Sequence, residues 1–125
     1  MGQSMFAEVK RTAPLTEDER MAIQSIVNKF DMSHMAETWD PANGVGENWS
    51  AFIWDEPGDG VVLEGSTRLP DVSVNRMIDA VDHFGIMLGR IRLEVLPEAE
   101  WSVWVESSEL GWFPDEDQPK FFFSR

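Results

Sequence analysis

Cysteine and tyrosine are both missing from the 125-residue sequence. Without cysteine there is no disulfide framework, no thiolate metal site and no thiol nucleophile. Basic residues are scarce, with Lys+Arg 10 against Asp+Glu 23 and a formal net charge of −13. That deficit argues against holding nucleic-acid phosphates or an anionic membrane surface, both of which need clustered Lys and Arg. No apolar run approaches the roughly 18 residues of a membrane helix. The opening Met1-Gly2-Gln3-Ser4-Met5-Phe6 lacks the charged-then-apolar order of a signal peptide. Phe6 also stands where a myristoylation motif wants Ser or Thr. Phosphate-loop, dinucleotide, Gly-x-Ser-x-Gly and zinc-ligand spacings are likewise missing. The expectation is one acidic, cytoplasmic domain over residues 1–125, with no cofactor, no nucleic acid and no membrane partner.

What the chain does contain is acid in blocks. From Asp31 to Thr67 there is no Lys or Arg, yet Asp31, Glu37, Asp40, Glu47, Asp55, Glu56, Asp59 and Glu64 fall there. Leu93 to Pro119 repeats the pattern with Glu94, Glu98, Glu100, Glu106, Glu109, Asp115, Glu116 and Asp117. Two base-free blocks create a field that draws cationic partners and repels anionic ones.

Hydrophobic periodicity assigns the elements. Met5–Arg11 alternates as a first strand, with Ala7 and Val9 on one side and Glu8 and Lys10 on the other. Thr16-Glu17-Asp18-Glu19 matches a capping box, and Ile23, Ile26, Val27 and Phe30 follow as one helical stripe, predicting a helix over Glu17–Phe30. A long connection rich in Gly, Asn and Pro spans Asp31 to Asn48. Trp49–Trp54 and Val61–Thr67 read as a hairpin around the turn-forming Asp55–Gly60. A second helix, capped by Asp71 or Ser73, carries Val74, Met77, Ile78, Val81 and Phe84 and is expected to stop at Gly85. Arg90–Leu96 alternates as a strand, Trp101–Glu106 as another, and Phe121–Phe123 closes the chain. The order is β-α-(loop)-β-β-α-β-β-β. It predicts an α+β domain, a mainly antiparallel sheet of five to six strands with both helices on one face.

Catalysis has thin support. His34 with Glu37, and Asp79 with Asp82 and His83, are the groupings from which acid–base or metal chemistry can be imagined. The second trio lies on the polar side of its helix, where a solvated surface explains it, so no catalytic or metal-ligating residue is assigned. Tryptophan is the anomaly, with six (Trp39, Trp49, Trp54, Trp101, Trp104, Trp112) beside eight Phe. Alternation puts Trp101 with Val103 and Val105 on one strand face and Trp104 with Ser102 and Glu106 on the other. A sheet covered on one side cannot bury both. Indoles beside carboxylates suit a protein interface or a cation held by ring faces.

These readings lead to an expected function: a non-enzymatic module that binds a basic protein partner, with an inhibitor or immunity-type protein as the concrete version. Its contact residues would be Glu47, Trp54, Asp55, Glu56, Trp104, Glu106, Glu109 and Trp112. The alternative is a small-molecule domain with a Trp-lined acidic pocket for a cationic or aromatic ligand, and a metal-dependent enzyme comes last.

Overall fold

Alternation in the first segment becomes strand β1 (Ser4–Lys10), with Met5, Ala7 and Val9 buried and Phe6 and Glu8 half-buried. The computed structural model describes residues 3–30, 52–69 and 73–124. The Asp31–Asn48 connection, including Glu47 and the His34–Glu37 pair, lies outside these residues, as do Trp49 and Asp71.

Helix α1 (Glu17–Lys29) begins at the expected capping box. Thr16 Oγ1 accepts the Glu19 N–H at 3.1 Å, and a Glu19 oxygen accepts the Thr16 N–H at 2.9 Å. Two otherwise orphaned donors are thereby satisfied, while Glu17 and Asp18 sit at the positive end of the dipole. Ile23 and Ile26 are the buried part of its stripe. Strands β2 (Ile53–Asp55) and β3 (Val61–Arg68) form the expected hairpin, with Trp54 opposite Gly65. Gly58, Asp59 and Gly60 turn the chain between them at φ 88, 56 and 90°. Two of those three left-handed positions are glycine, which adopts them without a Cβ clash.

Helix α2 (Val74–Glu94) starts at Ser73, whose hydroxyl accepts the Arg76 N–H. It does not stop at Gly85, and Arg90–Leu96 is not a strand; Arg90–Glu94 supplies the last turn of the helix and Val95 caps it. Ala80, Val81, Phe84, Met87, Leu88 and Ile91 are all buried, so the helical stripe continues through the segment whose alternation also fitted a strand. Gly85 is there for a different reason. A Cβ at Gly85 would collide with the carbonyl oxygen of Phe121, and one at Gly89 with that of Pro119.

Beyond α2 come β4 (Glu100–Val105), β5 (Ser108–Glu109), β6 (Gly111–Phe113) and β7 (Lys120–Phe122). The main sheet has the order β2-β3-β1-β4-β5 with every neighbouring pair antiparallel, and β6-β7 form a separate two-stranded sheet. The fold is therefore α+β, and helices and strands follow one another in the predicted order, with four short strands after α2 where three were expected. One core joins Met5, Ala7 and Val9 of β1 to Leu63 of β3, Trp101, Val103 and Val105 of β4, and the buried stripes of both helices. Met5, Val9, Val81, Leu88, Ile91 and Val103 are almost fully enclosed, each stabilising the fold by roughly 1.5–3 kcal/mol. The β6–β7 hairpin rests on α2, where Phe121 is buried and stacks on Trp101 at 5.7 Å between ring centres. The Lys120 ammonium reaches Asp82 of α2 and ties the hairpin down.

Candidate functional site

Residues between the core positions of β1, β3 and β4 project from the other side of the sheet. Strand register gathers them into two rows running across the strands. One row is Ile53, Ser66, Phe6, Trp104 and Glu109. The next is Asp55, Glu64, Glu8 and Ser102. Both helices and the β6–β7 hairpin feed the core on the opposite face, so no helix among the described residues covers these rows.

Three of the five members of the first row, Ile53, Phe6 and Trp104, are apolar or aromatic, with Ser66 between Ile53 and Phe6 and Glu109 at the far end. Phe6 and Trp104 stack with centroids 5.5 Å apart and planes 21° from parallel. Ile53 is 74% exposed, the most open of the large hydrophobic side chains among the described residues. The second row puts three carboxylates directly opposite one another on adjacent strands, about 4.8 Å from strand to strand. Lys10 approaches Glu8 at 3.5 Å, but Asp55 and Glu64 have no cationic partner among the described residues. Like charges in direct cross-strand register destabilise a sheet.

The residues that sequence reasoning chose for the contact are spread over several parts of the fold. Trp104, Asp55 and Glu109 lie on this outer face, with Glu109 opposite Trp104. Glu106 stands at its margin, in the turn between β4 and β5 at φ 51°, where its carboxylate accepts the Ser4 N–H at 3.1 Å. Glu56 points instead to α1. The Arg20 guanidinium donates to both its oxygens, two of the contacts at 2.9 Å, and holds its carboxyl below the usual carboxylate range.

Trp54 and Trp112 face elsewhere. Trp54 shares its sheet face with Gly65, Ala7 and Val103, which is the core side. Its ring packs on the Gly65 backbone and stacks on Phe52 at 5.0 Å, and its Nε1 is buried without a hydrogen-bond partner among the described residues. Trp112 sits in the β6–β7 hairpin against Phe121 at 4.8 Å. The Arg92 guanidinium lies over the Trp112 ring at 4.8 Å, and burial pushes its pKa down. Open hollows do adjoin each ring, one lined by Trp54, Asp55, Glu56 and Leu63, the other by Trp112, Asp115 and Glu116. The aromatic surface a ligand cation would need is already taken up, by Arg92 at Trp112 and by Phe52 and Gly65 at Trp54.

The face also contains residues that were not singled out for contact: Phe6, Ile53, Glu8 and Glu64. Phe6 and Glu8 have the parity opposite to Ala7 and Val9, which was the available signal. Their alignment with Trp104 and Glu64 depends on register, which a single strand does not encode.

Among the described residues, His83 makes a structural contact. His83 donates from Nε2 to the Phe30 carbonyl at 2.9 Å, with its ring edge-on to Phe30 and Phe84. Among the described residues no three His, Asp or Glu side chains converge on a metal position. No helix among them is long and apolar enough to cross a membrane. Compared with models of protein families, with curated proteins and with solved structures, the chain matches none.

Proposed function

We propose that this protein is a binding module whose outer sheet face receives a basic protein partner. The observation that carries the reading is the Asp55–Glu64–Glu8 row, set against the half-buried Phe6–Trp104 stack and the exposed Ile53. The row costs the isolated fold stability through mutual repulsion, and a cationic partner removes that cost on docking. The half-buried rings beside it and the exposed Ile53 give the complex residence, while the net charge speeds encounter. A second copy of the chain is a poor occupant, because it would set acid against acid. An inhibitor covering the cationic surface of a toxin or nuclease is the concrete form of this reading.

The test begins with capture from the native host, followed by titration of the purified captured protein. Stoichiometric binding should weaken at least tenfold between low and moderate salt, and should fall again for Trp104→Ala. An affinity that ignores both ionic strength and Trp104 defeats the proposal.

A further inference from the structure

The spacing of the two rows points to the shape of the occupant. We infer that the element seated on this face is a basic amphipathic α-helix lying across the strands; this rests on the docking reading above.

The acidic row advances by one strand at each step, about 4.8 Å, from Asp55 to Glu64 to Glu8. The apolar row runs parallel to it, two residues further along each strand, or about 6.8 Å away. A partner lying along the rows must therefore repeat its apolar and cationic groups at close to 4.8 Å. One turn of α-helix advances about 5.4 Å, so side chains three and four apart stay within about 1–2 Å of the acids over two steps. An extended segment in the same direction repeats on one side every ~6.8 Å and drifts by about 4 Å.

The separation between rows, about 6.8 Å, is within about 2 Å of the spacing between neighbouring helix side chains. Adjacent helix residues differ by 100° around an axis whose side chains reach about 5–6 Å, an arc of roughly 9 Å. A stripe of Leu or Ile with Arg or Lys one position onward thus lays its apolar line on Phe6, Trp104 and Ile53 and its cations on the carboxylates. Charge decides the sign of the second stripe: Glu8, Glu64, Asp55, Glu100 and Glu109 outweigh Lys10 and Arg68 on this side of the sheet. Arginine suits the position because its fork can bridge two neighbouring carboxylates.

The experiment uses the intact protein and two synthetic peptides of one composition, about 18 residues long. In the first, Leu recurs every three or four residues with Arg at each following position. In the second, the same residues are arranged with period two. Amide chemical shifts of Phe6, Glu8, Glu64 and Trp104 locate binding, and circular dichroism follows peptide helicity. The helical pattern should bind at least tenfold tighter than the alternating one, gain helicity, and shift those amides. Glu64→Gln, which relieves repulsion and so retains the fold, should weaken it several-fold. Tighter or equal binding of the alternating peptide on the same face overturns the helix inference and leaves the docking reading standing. If neither peptide perturbs the face at low salt, both fall.

Discussion

Glu19 accepts the Thr16 N–H at the start of α1 and grips the Arg11 guanidinium with both oxygens, at 2.7 and 2.8 Å. Arg11 in turn donates to the carbonyls of Ala13 and Pro14, so one carboxylate organises the whole link from β1 to α1. The Arg11 hydrogen bond, reinforced by the Thr16 backbone, holds the Glu19 pKa at about 2. A carboxyl whose folded pKa is depressed contributes stability above its ordinary value and loses it on acidification. Here the loss runs from about 4.5 down to about 2. Glu19→Gln should therefore lower stability at pH 7 by about 1–2 kcal/mol, a figure reduced for the partial exposure of the pair. Urea denaturation of both forms across pH 7 to 2 checks this, and the two curves should converge at the acid end. Parallel curves over that range would show that Glu19 is not the titrating group.

Among the elements, α2 best separates what a local pattern encodes from what the assembled fold adds. The stripe from Val81 to Ile91 was present in the sequence, but Gly85 has the appearance of a helix end, and Ile91, Leu93 and Val95 alternate as a strand would. Only the crossing of β7 explains the glycines, since the backbone at Phe121 and Pro119 occupies the space of their missing side chains. Such a contact joins residues thirty or more positions apart and leaves no local trace. The candidate site divides the same way. Trp104 could be placed outward from Trp101 by parity alone, whereas the sides taken by Trp54 and Trp112 depend on a register with β3 and on a hairpin that leaves the sheet. A test follows at Gly85. By helix propensity, Gly85→Ala should stabilise an exposed helix by about 1 kcal/mol. Against the Phe121 carbonyl the sign reverses, with a net loss of about 1–3 kcal/mol and a change in near-ultraviolet circular dichroism as Trp112 and Phe121 move. A stability gain would place β7 away from α2.

At the scale of the whole molecule, the distribution of charge matters more than its sum. Many of the cations are paired off the outer face: Arg11 with Glu19, Arg20 with Glu56, Arg90 with Glu94 and Lys120 with Asp82. Among the described residues, the acids of the Asp55–Glu64–Glu8 row have only Lys10 beside them. A surface kept merely soluble has no need to align three carboxylates across adjacent strands, because scattered charge serves as well at lower cost. Stability and binding should therefore respond in opposite directions to one substitution. Glu64 is the middle member, facing Glu8 on one side and Asp55 on the other, so Glu64→Gln removes both repulsions while keeping size and hydrogen-bonding capacity. It should raise stability by about 0.3–1 kcal/mol at low salt, an increment that shrinks as added salt screens the row in the original protein. The same change should weaken the captured basic partner several-fold, through faster dissociation for the close contact and slower association for the lost field. Thermal melts at two ionic strengths and a surface-binding measurement read the two effects separately. A Glu64→Gln protein that is no more stable, or that binds its partner as tightly as before, would reduce the row to an ordinary solvated surface.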